Sequence, residues 1–122
     1  MENDVLLNQV LEASTQVHQT LGPGFIESVY SRALVSELKS RGLAIQRERQ
    51  IKIWYRSEIV GKHILDLVVA GAAIVELKAA NAVAPVHIAQ LRSYLQATDY
   101  PFGLVLNFGA ATLQCEVLRR ES

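Results

Sequence analysis

The chain has a single cysteine, Cys115, among its 122 residues. One thiol cannot close an internal disulfide or build a multi-thiolate zinc site. No stretch approaches the ~18 uncharged apolar residues that a membrane helix requires, so no membrane partner is expected. Neither sign of charge is in excess: Lys and Arg together number 12, and Asp and Glu together number 12. A strongly basic nucleic-acid binder and a polybasic membrane-surface protein are therefore not signalled. The opening residues, Met1-Glu2-Asn3-Asp4, lack the basic segment and apolar run of a secretory signal, and a reduced, cytoplasmic compartment is expected. Repeats, low-complexity tracts and linkers are also missing. What is present is 50% hydrophobic and 20% charged, enough for one packed domain over residues 1–122.

The zero net charge conceals a polarity. Residues 1–31 carry four acids (Glu2, Asp4, Glu12, Glu27) and no Lys or Arg. Residues 32–62 carry eight bases against three acids, and residues 63–122 four bases against five acids. A local basic segment can meet phosphates in a neutral protein, or can simply solvate a surface helix and hairpin.

Hydrophobic spacing divides the chain into eight elements. Val5, Leu6, Val10, Ala13, Val17 and Leu21 predict an amphipathic helix over 4–20, broken by Gly22-Pro23-Gly24. Ile26, Val29, Tyr30, Ala33, Leu34 and Leu38 predict a second, ended by Gly42. Ile51, Ile53 and Tyr55 alternate with polar residues, as in a half-buried strand over 45–55. Ser57-Glu58 can turn the chain into a second strand over 59–69, and Gly71 into a third over 73–79. Pro85 opens a helix to about Ala97. Phe102–Phe108 suits a sheet interior, and Thr112–Leu118 a last strand at an edge. The order α-α-β-β-β-α-β-β implies an α/β fold with a mixed central sheet and helices packed on it.

Three charged residues stand inside apolar strands. Asp66 interrupts Ile64–Val69, and Glu76 and Lys78 interrupt Ala73–Ala79. Alternation puts Glu76 and Lys78 on one face, and a hairpin around Gly71 brings Asp66 diagonally near Glu76. Burying unpaired charge is expensive, so the cluster needs a reason. One is a fixed ion network, with Lys78 neutralising one acid and a backbone N–H or an Arg the other. The other is a divalent cation: carboxylate oxygens suit Mg²⁺ or Mn²⁺, and Lys78 could then position a water and stabilise charge on a phosphoryl group.

Asp66 followed by Glu76-Leu77-Lys78 resembles the D-x(n)-E-x-K signature of the PD-(D/E)XK nucleases. Gln90-Leu91-Arg92-Ser93-Tyr94 resembles the Q-x-x-x-Y motif of the RecB-like branch, with both named residues on one helix face and His87 joining them. Gly24, Glu27 and Tyr30 stand as in the prokaryotic GxxExxY family. The likeness spans about residues 4–118. Leu65 stands where the superfamily's signature has proline. The resemblance implies a restriction-endonuclease-like core, with residues 1–22 added as an extra helix that covers the sheet or serves a homodimer.

It also implies a metal-dependent nuclease acting on nucleic acid, DNA ahead of RNA. Asp66 and Glu76 would be the direct Mg²⁺ or Mn²⁺ ligands, completed by Glu27. Lys78 would orient the attacking water or hold a phosphate oxygen. Gln90 would fix Lys78, the metal shell or the substrate. His87, Tyr94 and Tyr30 are candidate substrate contacts, although an aromatic side chain facing a sheet is also an ordinary packing residue. A binding or regulatory module without turnover, on the same scaffold, is the competing function. His18 and His63 have no motif context, and Trp54 and Cys115 read as structural.

Overall fold

The computed structural model describes residues 1–121. α1 (Asn3–Leu21) buries Leu6, Val10, Ala13 and Val17 of the stripe that its spacing predicts, while Leu21 is partly buried and Val5 is exposed. Gly22, at φ 69°, ends it and donates its N–H to the His18 carbonyl at 2.8 Å. α2 (Glu27–Ser40) buries Tyr30, Leu34, Val35 and Leu38. Its end is a Schellman motif. The Gly42 N–H reaches the Lys39 carbonyl and the Leu43 N–H reaches Leu38, whose side chains join the same core. Gly42 takes the positive φ of 80° that this closure needs.

Five strands follow in one sheet ordered β1-β2-β3-β4-β5. They are β1 (Ile45–Tyr55), β2 (Glu58–Val69), β3 (Ala73–Lys78), β4 (Phe102–Asn107) and β5 (Gln114–Arg119), with α3 (Pro85–Gln96) between β3 and β4. β3 and β4 run parallel, as the intervening helix requires, and the other neighbours are antiparallel. The α/β class, the element order and the mixed sheet expected from the sequence are all present. Boundaries differ slightly. The first hairpin turns at Arg56-Ser57, one residue earlier than expected, with Arg56 at φ 54°. β5 begins at Gln114 because residues 108–113 connect it to β4 without joining the ladder.

The sheet divides two cores. α1 and α2 cover one face, packing Leu6, Val10 and Leu34 against Leu67, Val75 and Leu104. α1 thus covers the sheet together with α2. α3 covers the other face, where Leu91 and Leu95 meet Ile74 and Val105. α3 approaches so closely that a Cβ on Gly103 would stand 2.7 Å from Leu91 Cδ1 and 3.0 Å from the Ile74 carbonyl oxygen. Among the described residues no helix is long and apolar enough to cross a membrane.

Gly103→Ala should therefore overpack this seam and cost about 1–3 kcal/mol. Urea unfolding followed by circular dichroism checks it. An unchanged midpoint would mean that α3 is not seated this closely.

Candidate active site

β2 and β3 pair only over Leu67–Val75, Val68–Ile74 and Val69–Ala73. The next pair in register would be Asp66 and Glu76. There the backbone ladder stops and side chains take its place. The Asp66 N–H donates to Glu76 Oε2 at 3.0 Å, and the Leu77 N–H donates to Asp66 Oδ2 at 2.9 Å. β3 stays paired with β4 through Lys78, which lies opposite Asn107, so β2 peels away and leaves a notch.

The same irregularity appears in β1. Arg47 pairs with Leu67 and Arg49 with Leu65, but the pair between them, Glu48 and Asp66, is missing. Glu48 sits at φ 52°, which a residue with a side chain rarely adopts. Leu65 and Leu67, two apart, should share a face in a regular strand. Instead Leu67 joins the α1/α2 core and Leu65 the α3 core. Asp66 is the point at which the strand changes sides, and it lines a cavity on each.

The α3-side cavity, about 260 Å³, is walled by Ile64, Asp66, Glu76 and Lys78 from the sheet, and by His87, Gln90 and Tyr94 from α3. Six of the eight residues singled out in the sequence meet here. Lys78 and Glu76 share this wall as alternation requires. His87, Gln90 and Tyr94 are one turn apart and present one face. The Ala84 N–H donates to His87 Nδ1 at 3.1 Å, so in the neutral ring the proton resides on Nε2 and that atom is a donor. His63, which has no motif context in the sequence, packs its ring against Tyr94 at 5.3 Å and borders this group.

The other two residues are elsewhere. Glu27 opens α2 and lines the cavity of about 180 Å³ on the opposite side, with Arg47, Glu48 and Asp66. Among the described residues no three His, Cys, Asp or Glu side chains form a metal-type cluster, so Glu27 is not drawn in beside Asp66 and Glu76. Tyr30 is fully buried and borders neither cavity, which corrects its reading as a substrate contact. Its ring stacks on Phe108 at 4.8 Å. Its hydroxyl donates to the Gly22 carbonyl at 2.5 Å and accepts the Phe25 N–H at 3.1 Å. It secures the turn between the first two helices. Cys115 is half-buried, and burial and Glu116 push its thiol up to about 11, unlike a nucleophile.

Asn107 was not singled out in the sequence. It is fully buried, and its carboxamide makes four hydrogen bonds. Oδ1 accepts the N–H groups of Ala80 and Gly109, and Nδ2 donates to the Ala80 carbonyl and to Gln114 Oε1. Together with the Phe108 N–H on the Lys78 carbonyl, it pins the exit of β3 just beyond Lys78. Gly109 permits the approach, since a Cβ there would stand 2.4 Å from the Ala80 oxygen.

The Glu76 carboxyl is pushed up to about 8, first by burial and then by the Asp66 charge, and Lys78 offsets this only in part. Tyr94 is also raised, by desolvation first and then by Glu76 and Asp66. Two carboxyls this close hold a proton that a cation could replace.

The notch between diverging strands, with D…E-x-K on its rim and a glutamine-bearing helix beside it, defines a nuclease-like scaffold. A family model described as the PD-(D/E)XK nuclease superfamily matches residues 4–120, and the chain belongs to that superfamily. Its nucleases generally use divalent metal ions. Comparisons with curated proteins and with solved structures gave no significant match.

The raised acid sets a pH dependence. Between 4.5 and about 8 the folded protein holds a proton on Glu76 that the unfolded chain releases, so metal-free stability falls as pH rises through that window. Thermal melts in EDTA should show this decline, and Glu76→Gln should flatten it. A wild-type melting temperature independent of pH there would contradict the burial of this acid.

Proposed function

We propose that this protein is a metal-dependent nuclease that hydrolyses phosphodiester bonds of nucleic acid, DNA ahead of RNA, and that it belongs to the GxxExxY branch. The observation that supports this most is the Asp66–Glu76 pair at the strand divergence, with Lys78 on the same wall as Glu76. The donor set fits a hard divalent cation. Two carboxyls that cannot both ionise readily on their own could both do so around Mg²⁺ or Mn²⁺. Asp66 and Glu76 would hold the ion, and Glu27 would act from the far side of Asp66, through the second cavity. Bound there, the ion would supply Lewis-acid stabilisation of charge on the phosphoryl oxygens.

The chain's own groups then have distinct tasks. Lys78 orients the attacking water or holds a phosphate oxygen on the same wall as Glu76. Gln90 fixes Lys78 or the substrate backbone from α3. His87 Nε2–H donates to a phosphate oxygen. Burial of Glu76 strengthens the interactions made at its carboxyl. The reciprocal carboxyl–backbone bonds would equally serve a scaffold without turnover, so titration and turnover are both needed.

Calorimetry with Mn²⁺ and Mg²⁺ should show binding that strengthens as pH rises toward about 8, because the ion displaces the Glu76 proton. Glu76→Ala should abolish it. In metal, wild type should cleave labelled DNA, and Lys78→Ala should slow cleavage on the order of 10²–10³-fold. Failure of metal-loaded protein to cleave DNA or RNA of any form would leave the non-catalytic module as the reading.

A further inference from the structure

The β1–β2 hairpin runs on past the notch as a two-stranded arm, and among the described residues nothing covers its outer face. Gln50 and Lys52 alternate with Ile51 and Ile53, which pack toward α3, so they point the other way; between Ile53 and Trp54 the ladder shifts register, and Trp54 beyond the shift is exposed. Across the ladder Ile64 faces Gln50, Lys62 faces Lys52 and Ile59 faces Trp54. Trp54 is 58% exposed and Ile64 59% exposed. Beside them Arg56 lays its guanidinium over the Tyr55 ring at 5.3 Å. An arm of this kind exposes a large aromatic side chain and branched aliphatics that ordinary surfaces do not collect in one place.

Its cations are also without partners. Arg41, Arg92 and Arg119 all engage acids, whereas among the described residues Lys52 and Lys62 on this face, and Arg47, Arg49 and Arg56 elsewhere on the hairpin, form no ion pair. A second copy of the chain would set this positive face against itself. A polyanion complements it. The same strands lead directly to the notch: Asp66 follows Ile64 in β2, and Arg47 lines the cavity on the α2 side of Asp66.

We propose that this arm is the grip for unpaired nucleic acid entering the notch. Trp54 stacks on a base, and Lys52 and Lys62, on the same face, hold the flanking phosphates. Stacking on an exposed ring needs a base with a free face, which a single strand or a frayed end offers and an intact duplex does not. The inference rests on the nuclease reading and adds to it a substrate class: single-stranded or splayed ends.

The chain has one tryptophan, so its fluorescence reports on this position alone. In EDTA, oligothymidylate should quench Trp54 emission, and the same strand annealed to its oligoadenylate complement should quench it far less. Trp54→Ala should weaken binding of labelled oligothymidylate about 5- to 150-fold, and Trp54→Phe should restore part of it. Replacing Lys52 and Lys62 by Gln should lower the salt slope by about 0.7 for each phosphate no longer neutralised. Binding without quenching, or equal quenching by the duplex, would overturn the proposal. So would a blue shift of Trp54 emission on concentrating the protein alone, with doubled mass in sedimentation, which would make the arm an interface between copies. Cleavage of the same oligonucleotides in Mn²⁺ is scored separately. Cleavage without quenching removes the arm and keeps the nuclease, and quenching without cleavage does the reverse.

Discussion

Asp66 and Glu76 stand where a pair of backbone hydrogen bonds should be. In a regular antiparallel ladder this position would be closed by main-chain N–H and carbonyl groups. Here each carboxyl instead accepts an N–H from the opposite strand. The exchange satisfies the donors that the ladder abandons, so the strands can part without stranding them. It also brings two acids together in a place that Glu76 shares with little water. Separation of the strands and mutual repulsion of the acids are thus one arrangement. The first makes room for a ligand, and the second makes a cation the natural one.

Such a notch closes unless its walls are held from outside. β3 is held by β4 along its whole length, and the Asn107 carboxamide extends that grip past Lys78 to Ala80. β2 is held by β1, and the two strands kink together at Glu48 and Asp66 so that their register survives. The left-handed Glu48 backbone is the local cost of that shared kink. The Tyr30 ring on Phe108 and the His18 imidazole on the Ala110 carbonyl fasten the segment beyond β4 to the two N-terminal helices. The rigid parts of the fold therefore converge on the exit of β3, where Lys78 stands.

Much of this was legible in the sequence because it follows from periodicity. Alternation alone put Glu76 and Lys78 on one wall, and a spacing of four put Gln90 and Tyr94 on one helix face. The superfamily motifs then joined the two walls. Periodicity was silent where the structure departs from it. Nothing in Arg47-Glu48-Arg49 signals a residue at positive φ, and strict alternation would keep Leu65 and Leu67 together. Asn107 was hidden at the end of an apolar run, where one polar residue looks like a strand boundary. The G-x-x-E-x-x-Y motif treated Glu27 and Tyr30 as one group, three residues apart on a helix. Burial separates them: Tyr30 serves the core, while Glu27 opens onto the far cavity.

That separation gives Asp66 a particular place. Among the described residues it is the one acid that borders both cavities, with Glu76 and Lys78 on one side and Glu27, Arg47 and Glu48 on the other. The kink that turns its strand over is what allows this, since a residue in a regular strand addresses a single face. A charge or ligand on the α2 side must act on the Glu76 carboxyl chiefly through Asp66. The Asp66 charge is in turn one cause of the proton held on Glu76. The irregularity in β1 and β2 thus links the basic arm to the acid pair through the backbone of two adjacent strands.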